Sequence, residues 1–351
     1  MQNQIWGEGL RLRSRLGDES RRELTVRIDR PALTGLNTSW MRILFQQLRK
    51  WSEFIKFSHT IFALPFALAS MAVAARDDRG WPGWRIFLLI LAAMVCARTC
   101  AMSFNRIADR EFDSANPRTA TRHLPAGRIP LGSAWALCLL SASGLVAASY
   151  WINPVCFYLS PVALFFVCFY SLTKRFTDFT HVFLGLALAL APIGAWLAVK
   201  GNFQLFPTEH GWRMLQYSAV LPLLLACAVV FWLIGFDIIY ALQDYEFDQK
   251  QGLHSLVVRW GVNNALVASF LSHMIMWGVL AAFGFLAGFK LAYWVGLVFI
   301  LGCLLMEHWL ARRRSLNWIN HAFFRLNAVI SIVFLVVALV EIVFPLLRFK
   351  R

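Results

Sequence analysis

The chain has 351 residues, 59% of them hydrophobic and only 15% charged, with a mean hydropathy of +0.58. A soluble domain is about 25% charged and about 45–50% apolar, so these values argue against a soluble enzyme and for a polytopic, all-α membrane protein. The 34 Lys and Arg exceed the 19 Asp and Glu by 15. Eleven of these cations precede Phe57 and most of the rest punctuate apolar runs, which is the distribution of topology-setting charges and not of a nucleic-acid surface. The expected partner is the lipid bilayer, with no nucleic acid.

In chain order, residues 1–50 form a polar, Arg-rich extension with no hydrophobic core of the kind a signal peptide needs. Its acids, Glu8, Asp18, Glu19, Glu23 and Asp29, are unlike a mitochondrial transit segment, and the extension is expected to be cytoplasmic. Met41–Trp51 reads as an amphipathic piece able to lie on a membrane. Residues 51–351 then carry apolar runs at 54–75, 86–107, 132–151, 154–171, 181–199, 217–236, 265–288, 291–311 and 322–347. Each has a length suited to a bilayer core, so nine transmembrane helices are predicted. Pro65, Pro161, Pro192 and Pro222 fall inside these runs, as a bundle tolerates when neighbours satisfy the freed carbonyls.

An odd number of spans puts the termini on opposite sides. With the N-terminus inside, 24 Lys and Arg face inward and 9 outward, which by the positive-inside rule predicts a cytoplasmic N-terminus in a multi-pass inner-membrane protein. The inner face then receives the two long connections, after the second and sixth runs, as if an arrangement were duplicated four helices apart. Cys96, Cys100, Cys138, Cys156, Cys168, Cys227 and Cys303 form no Cys-x-x-Cys and are odd in number, which argues against a disulfide framework or a zinc site.

Those two connections hold the chemistry. Asn105, Asp109 and Asp113 recur at steps of four and share one helical face. Oxygen ligands stacked in this way suit Mg²⁺, which takes one or two carboxylates, keeps several waters and fills its shell with phosphate oxygens. Asp237, Tyr240, Asp244 and Asp248 form a second stripe at the end of the sixth run. Like charges at i,i+4 destabilise an isolated helix by about 0.2–0.5 kcal/mol per pair, a repulsion that a bound cation offsets. A single such stripe reads equally well as a solvated helix end. Two at one membrane depth point to function, because acids there are costly.

Arg106, Arg118, Arg122 and Lys174 accompany the acids and complete what a diphosphate requires, metals for neutralisation and guanidinium groups for bidentate contacts. Arg110, Arg128, Arg175, Arg259 and Arg312–Arg314 read as positive-inside anchors. His59, His181, His254 and His273 pair with no His or Cys at a ligand spacing and are assigned no metal role. The 30 Phe and 15 Trp read individually as core or interfacial belt, with an aromatic tunnel as the functional alternative.

Residues 50–347 resemble the UbiA superfamily of intramembrane aromatic prenyltransferases. Asn105-x-x-x-Asp109-x-x-x-Asp113 with Asn116-Pro-Arg118-Thr-Ala-Thr-Arg122 is similar to its first aspartate-rich motif. Asp237-Ile-Ile-Tyr240-Ala-Leu-Gln243-Asp244-Tyr-Glu-Phe-Asp248 is similar to the second. The resemblance implies a nine-helix bundle around a central cavity, with one Mg²⁺ on Asn105, Asp109 and Asp113 and another on Asp244 and Asp248. Tyr170-Ser-Leu-Thr-Lys174 is similar to a segment whose side chains contact the diphosphate. Asp237 and Tyr240 would polarise an acceptor phenol, and Lys56 would meet the acceptor carboxylate.

The implied reaction joins a polyprenyl diphosphate to an aromatic phenolic acid, 4-hydroxybenzoate, for quinone biosynthesis. Phe54–Phe66 and Asn116-Pro-Arg118-Thr also resemble the branch that prenylates 1,4-dihydroxy-6-naphthoate. A secondary transporter is a further alternative, but it should place its acids at the bilayer midplane and not at helix ends beside arginines. The sequence sets neither the donor's chain length nor an oligomeric state.

Overall fold

The computed structural model describes residues 33–56, 62–205, 218–312 and 323–344. The chain divides into two compact units, Met1–Gln47 and Leu48–Arg351. Helix α1 (Leu33–Phe54) runs through the boundary and includes the amphipathic stretch. His59 and Arg313–Arg314 lie outside the described residues.

Among the described residues all regular structure is helical. Eight helices are long and apolar enough to cross a bilayer, and a shorter apolar one, α2 (Ala63–Ala74), precedes them. The others are α3 (Trp84–Ala108), α5 (Leu131–Ile152), α6 (Pro154–Thr173), α7 (Thr180–Lys200), α8 (Val220–Ala241), α10 (Leu256–Leu286), α11 (Leu291–Arg312) and α12 (Phe324–Val343). Two short helices, α4 (Arg110–Ala115) and α9 (Tyr245–Lys250), follow α3 and α8. The first predicted run begins too early: α1 ends at Phe54, and Lys56, expected inside a helix, sits in a turn at φ 48°.

Lipid is as apolar as leucine, so these helices associate through close packing and interhelical hydrogen bonds and not through burial from water. Helix α8 packs between α7 and α10, α3 against α5 and α6, and α2 against α7 and α12. Gly235 allows the α8–α10 approach, since a Cβ there would stand 2.3 Å from the His273 ring. Ser269 Oγ donates to the Gly235 carbonyl at 2.7 Å, Ser70 Oγ to Pro192 O at 2.6 Å, and Tyr293 Oη to Leu280 O at 2.7 Å. Interhelical bonds of this type average about 0.6 kcal/mol each.

Pro65 and Pro222 fall in the first turns of α2 and α8, where the missing N–H leaves no intrahelical bond unmade. Pro161 and Pro192 lie within α6 and α7. Helix α10 breaks at Gly261, whose φ of 75° disfavours any residue with a Cβ.

The aromatic residues divide: some pack the core, while others such as Trp84, Tyr158, Phe165 and Phe285 are exposed. Phe62, Phe66, Trp232, Phe236, Phe283 and Phe334 form one buried cluster, with Phe66 and Phe334 stacked at 4.8 Å. A polar network lies within it: Trp232 Nε1 donates to Asn327 Oδ1 at 2.7 Å, and Asn327 Nδ2 donates to Glu307 Oε2 at 3.2 Å. All seven cysteines are free thiols.

Candidate active site

The C-terminal ends of α3 and α8 open onto one cavity of about 290 Å³. Helix α3 stops at Ala108, Asp109 caps it, and α4 resumes at Arg110, so Asn105, Asp109 and Asp113 all reach the cavity wall despite the break. Asp237 and Tyr240 reach the cavity from the end of α8, and a 3₁₀ turn at Leu242–Asp244 that joins α8 to α9 adds Asp244 and Asp248. Arg118 and Arg122 come from the connection after α4, Tyr170 and Lys174 from the end of α6, and Lys56 from the turn before α2. These twelve residues and Arg106, all singled out in the sequence, therefore line a single chamber. Arg110, Arg128, Arg175 and Arg259, read as anchors, do not line it.

Inside the chamber Lys174, Arg122 and Arg118 are each matched to an acid. Lys174 Nζ lies 3.0 Å from Asp109 Oδ2, and Arg122 Nη1 lies 2.6 Å from Asp113 Oδ1. Arg118 Nε donates to Asp244 Oδ1 at 2.8 Å, while its Nη2 pairs with Oδ2. Asn116 Nδ2 adds a third donor to Asp244 at 2.9 Å. Charge-assisted, nearly bidentate pairing of this kind is the strong form of a hydrogen bond.

Burial raises the Asp109 carboxyl above the ordinary carboxylate range, although Lys174 opposes the shift. Burial works against the Arg118 charge, but its bond to Asp244 together with the charges of Asp244 and Tyr240 outweighs it and raises the guanidinium further. Tyr240 lies between two cations, with its hydroxyl 3.3 Å from Lys56 Nζ and its ring 5.8 Å from the Arg118 guanidinium carbon.

Asp109 Oδ1 and Asp113 Oδ2 are buried and accept no hydrogen bond, although Arg106 Nη1 stands 3.8 Å from Asp113 Oδ2 as an ion-pair partner. Stranded carboxylate oxygens of this type are costly unless something takes their lone pairs, and a hard divalent cation fits that need. Among the described residues no three His, Cys, Asp or Glu side chains form a closed cage. An ion here would draw its remaining ligands from water or substrate, as Mg²⁺ does.

Sequence reasoning missed three members of this region. Arg98, on α3 two turns before Asn105, lines the chamber with its Nε buried and unbonded. Its signal was available, as it is the single charge within the run 86–107 other than Arg106 at its end. Asn116 was noted only as part of a motif. His181 gave no sequence signal because its partner is 56 residues away: its Nδ1 lies 2.7 Å from Asp237 Oδ2.

A second cavity of about 230 Å³ lies among α3, α5, α6 and α7 and shares Arg98, Tyr170 and Leu188 with the first. Its walls are aliphatic, with Ile90, Met94, Leu145, Leu159, Ala191 and Gly194 among them, so the aromatic tunnel weighed as the functional alternative is not what adjoins the polar chamber.

The profile of the UbiA prenyltransferase family matches residues 63–329. A 4-hydroxybenzoate octaprenyltransferase of Tolumonas auensis is 30% identical over 255 residues, which is 73% of this chain and 84% of that one. The apo structure of a UbiA homolog from Aeropyrum pernix superposes with TM-score 0.69 at 29% identity, covering 81% of this chain and 98% of the other. A UbiA homolog from Archaeoglobus fulgidus, solved bound to DMAPP and Mg²⁺, shares the fold at TM-score 0.62 and 20% identity, over 84% and 99% of the two chains. With its motifs folded around one chamber and its helices matched over most of their length, the chain belongs to the UbiA prenyltransferase family.

Proposed function

We propose that the protein transfers a polyprenyl group from its diphosphate to the ring of 4-hydroxybenzoate in an Mg²⁺-dependent reaction of quinone biosynthesis. The observation that carries this reading is the junction of two cavities, one charged and sized for a diphosphate and an aromatic acid, the other aliphatic and suited to an isoprenoid tail. The likeness to the Tolumonas 4-hydroxybenzoate octaprenyltransferase supports the benzoate acceptor, and the DMAPP and Mg²⁺ bound to the Archaeoglobus homolog support prenyl diphosphate and Mg²⁺ as ligands.

In this mechanism Asn105, Asp109 and Asp113 would hold one Mg²⁺ and Asp244 and Asp248 another. The ions supply charge neutralisation as the allylic C–O bond ionises. Arg118, Arg122 and Lys174, which meet carboxylates in the structure, turn to the diphosphate oxygens once the acids are engaged elsewhere. These cations and Tyr170 hold the leaving group. Lys56 meets the acceptor carboxylate, and Asp237 and Tyr240 polarise the phenol so that the ring carbon attacks the allylic cation. Water kept out of the occupied chamber would otherwise capture that cation as a free prenol.

The 24-to-9 bias of Lys and Arg supports a multi-pass inner-membrane protein with its N-terminus and site toward the cytoplasm. The division of the chain near residue 50 supports a basic extension followed by a catalytic domain. The test is a membrane assay with a labelled polyprenyl diphosphate, Mg²⁺ and either 4-hydroxybenzoate or 1,4-dihydroxy-6-naphthoate, with products read by mass spectrometry. Prenylated benzoate is expected. Product from the naphthoate alone would overturn the acceptor, and product from neither would overturn the reaction.

A further inference from the structure

We propose that His181 is a positioning residue that aims the Asp237 carboxylate at the ring proton leaving the acceptor, an inference that rests on the aromatic prenyl transfer proposed above. His181 lies in the first turn of α7 and is 1% exposed, whereas the side chain of Asp237 is 24% exposed and lines the chamber. The imidazole thus stands behind the carboxylate, away from the substrate space. An ionised carboxylate only accepts hydrogen bonds, so at 2.7 Å His181 Nδ1 carries the proton and donates to Oδ2. Its other ring nitrogen, Nε2, is buried without a hydrogen-bond partner. A buried, half-satisfied imidazole at the margin of a reaction chamber is expensive to keep for packing alone.

The bond fixes one carboxylate oxygen and leaves Oδ1 to act. After the new C–C bond forms, the ring carbon carries both its hydrogen and the prenyl group. The C–H bond then breaks, its electron pair restores the aromatic ring, and the proton forms an O–H bond with Asp237 Oδ1, from which it passes to solvent after product leaves. His181 keeps its own proton throughout and holds the acceptor oxygen on line.

The experiment compares 4-hydroxybenzoate with its ring-deuterated form in the full-length enzyme, parent and variants. In the parent the two acceptors are expected to react at equal rates, because ionisation of the donor would precede and limit loss of the ring proton. His181→Leu is expected to lower kcat by about 100-fold, the low end of general-base effects, with the KM for polyprenyl diphosphate unchanged and a primary isotope effect on kcat now visible. His181→Asn, which keeps an N–H near the Nδ1 position, is expected to recover most of the rate and to abolish that effect. Should the leucine variant fail to insert, His181→Met fills the same space with an unbranched chain and carries the same expectation. A slowed variant with no isotope effect, or an asparagine variant as impaired as leucine, would overturn the role of His181. Failure of the parent to prenylate the benzoate would instead overturn the reaction on which it rests.

Discussion

Arg118 and Asp244 stand 126 residues apart in sequence and are joined by paired contacts, Nε to Oδ1 at 2.8 Å and Nη2 to Oδ2. Asn116, two residues before Arg118, bonds the same carboxylate. The connection that follows the first acidic stripe therefore closes onto the second, and the two halves of the chamber share one electrostatic unit. A point charge cannot replace the guanidinium fork in such a contact. Arg118→Lys should retain less than about a tenth of kcat/KM for the donor, and Arg118→Ala should lose about 10²–10³ in kcat, as when a transition-state donor is removed. Equal activity of the lysine variant and the parent would contradict this.

Proton linkage follows from Asp109. Burial holds its carboxyl above the ordinary range, and a metal requires the ionised form. As pH falls through that raised value, protons compete with Mg²⁺, so the apparent Mg²⁺ affinity should weaken earlier than for a carboxylate of ordinary pKa. Above it, affinity should level off. Mg²⁺ titrations of turnover at stepwise lower pH check the sign, and an affinity that rises on acidification would contradict it.

How much of this was legible beforehand depends on the range of the interaction. Asn105, Asp109 and Asp113 share a helical period, as do Tyr240, Asp244 and Asp248, so local spacing exposed them. Lys56 was found, but the turn that carries it was not, because the apolar run 54–75 reads as one helix. The His181–Asp237 and His273–His308 pairs, the latter at 2.9 Å, join different helices and leave no periodic trace. The aliphatic cavity was missed for the opposite reason. Its alanines, leucines and glycine look like any membrane-spanning residues, whereas the conspicuous phenylalanines pack the core elsewhere.

Asn327 supports the core and not the chemistry. It accepts from Trp232 Nε1 and donates to Glu307, both within the bundle. Asn327→Leu strands two buried polar groups, each worth about 1–3 kcal/mol. The variant should melt several degrees below the parent in detergent while keeping near-normal kcat at low temperature. An unchanged melting temperature would show the network to be dispensable.

Donor length is expected to depend on Gly194. It lines the aliphatic cavity, and a Cβ built there meets nothing within 4 Å. Gly194→Leu should fold, occupy tail space and reduce turnover of long-chain diphosphates by about tenfold or more relative to a geranyl donor, a loss of about 1.4 kcal/mol in differential binding. Competition between the two donors in one reaction measures the ratio. An unchanged ratio would place the tail elsewhere.

The central claim is that both acidic stripes and their cations form one metal-dependent diphosphate site. Its most direct test is calorimetric binding of a prenyl diphosphate to the detergent-solubilised protein, with and without Mg²⁺, in the parent and in Asp109→Ala and Asp244→Ala. Binding is predicted only with Mg²⁺ and only in the parent. Tight binding in chelator, or in either variant, would contradict the claim.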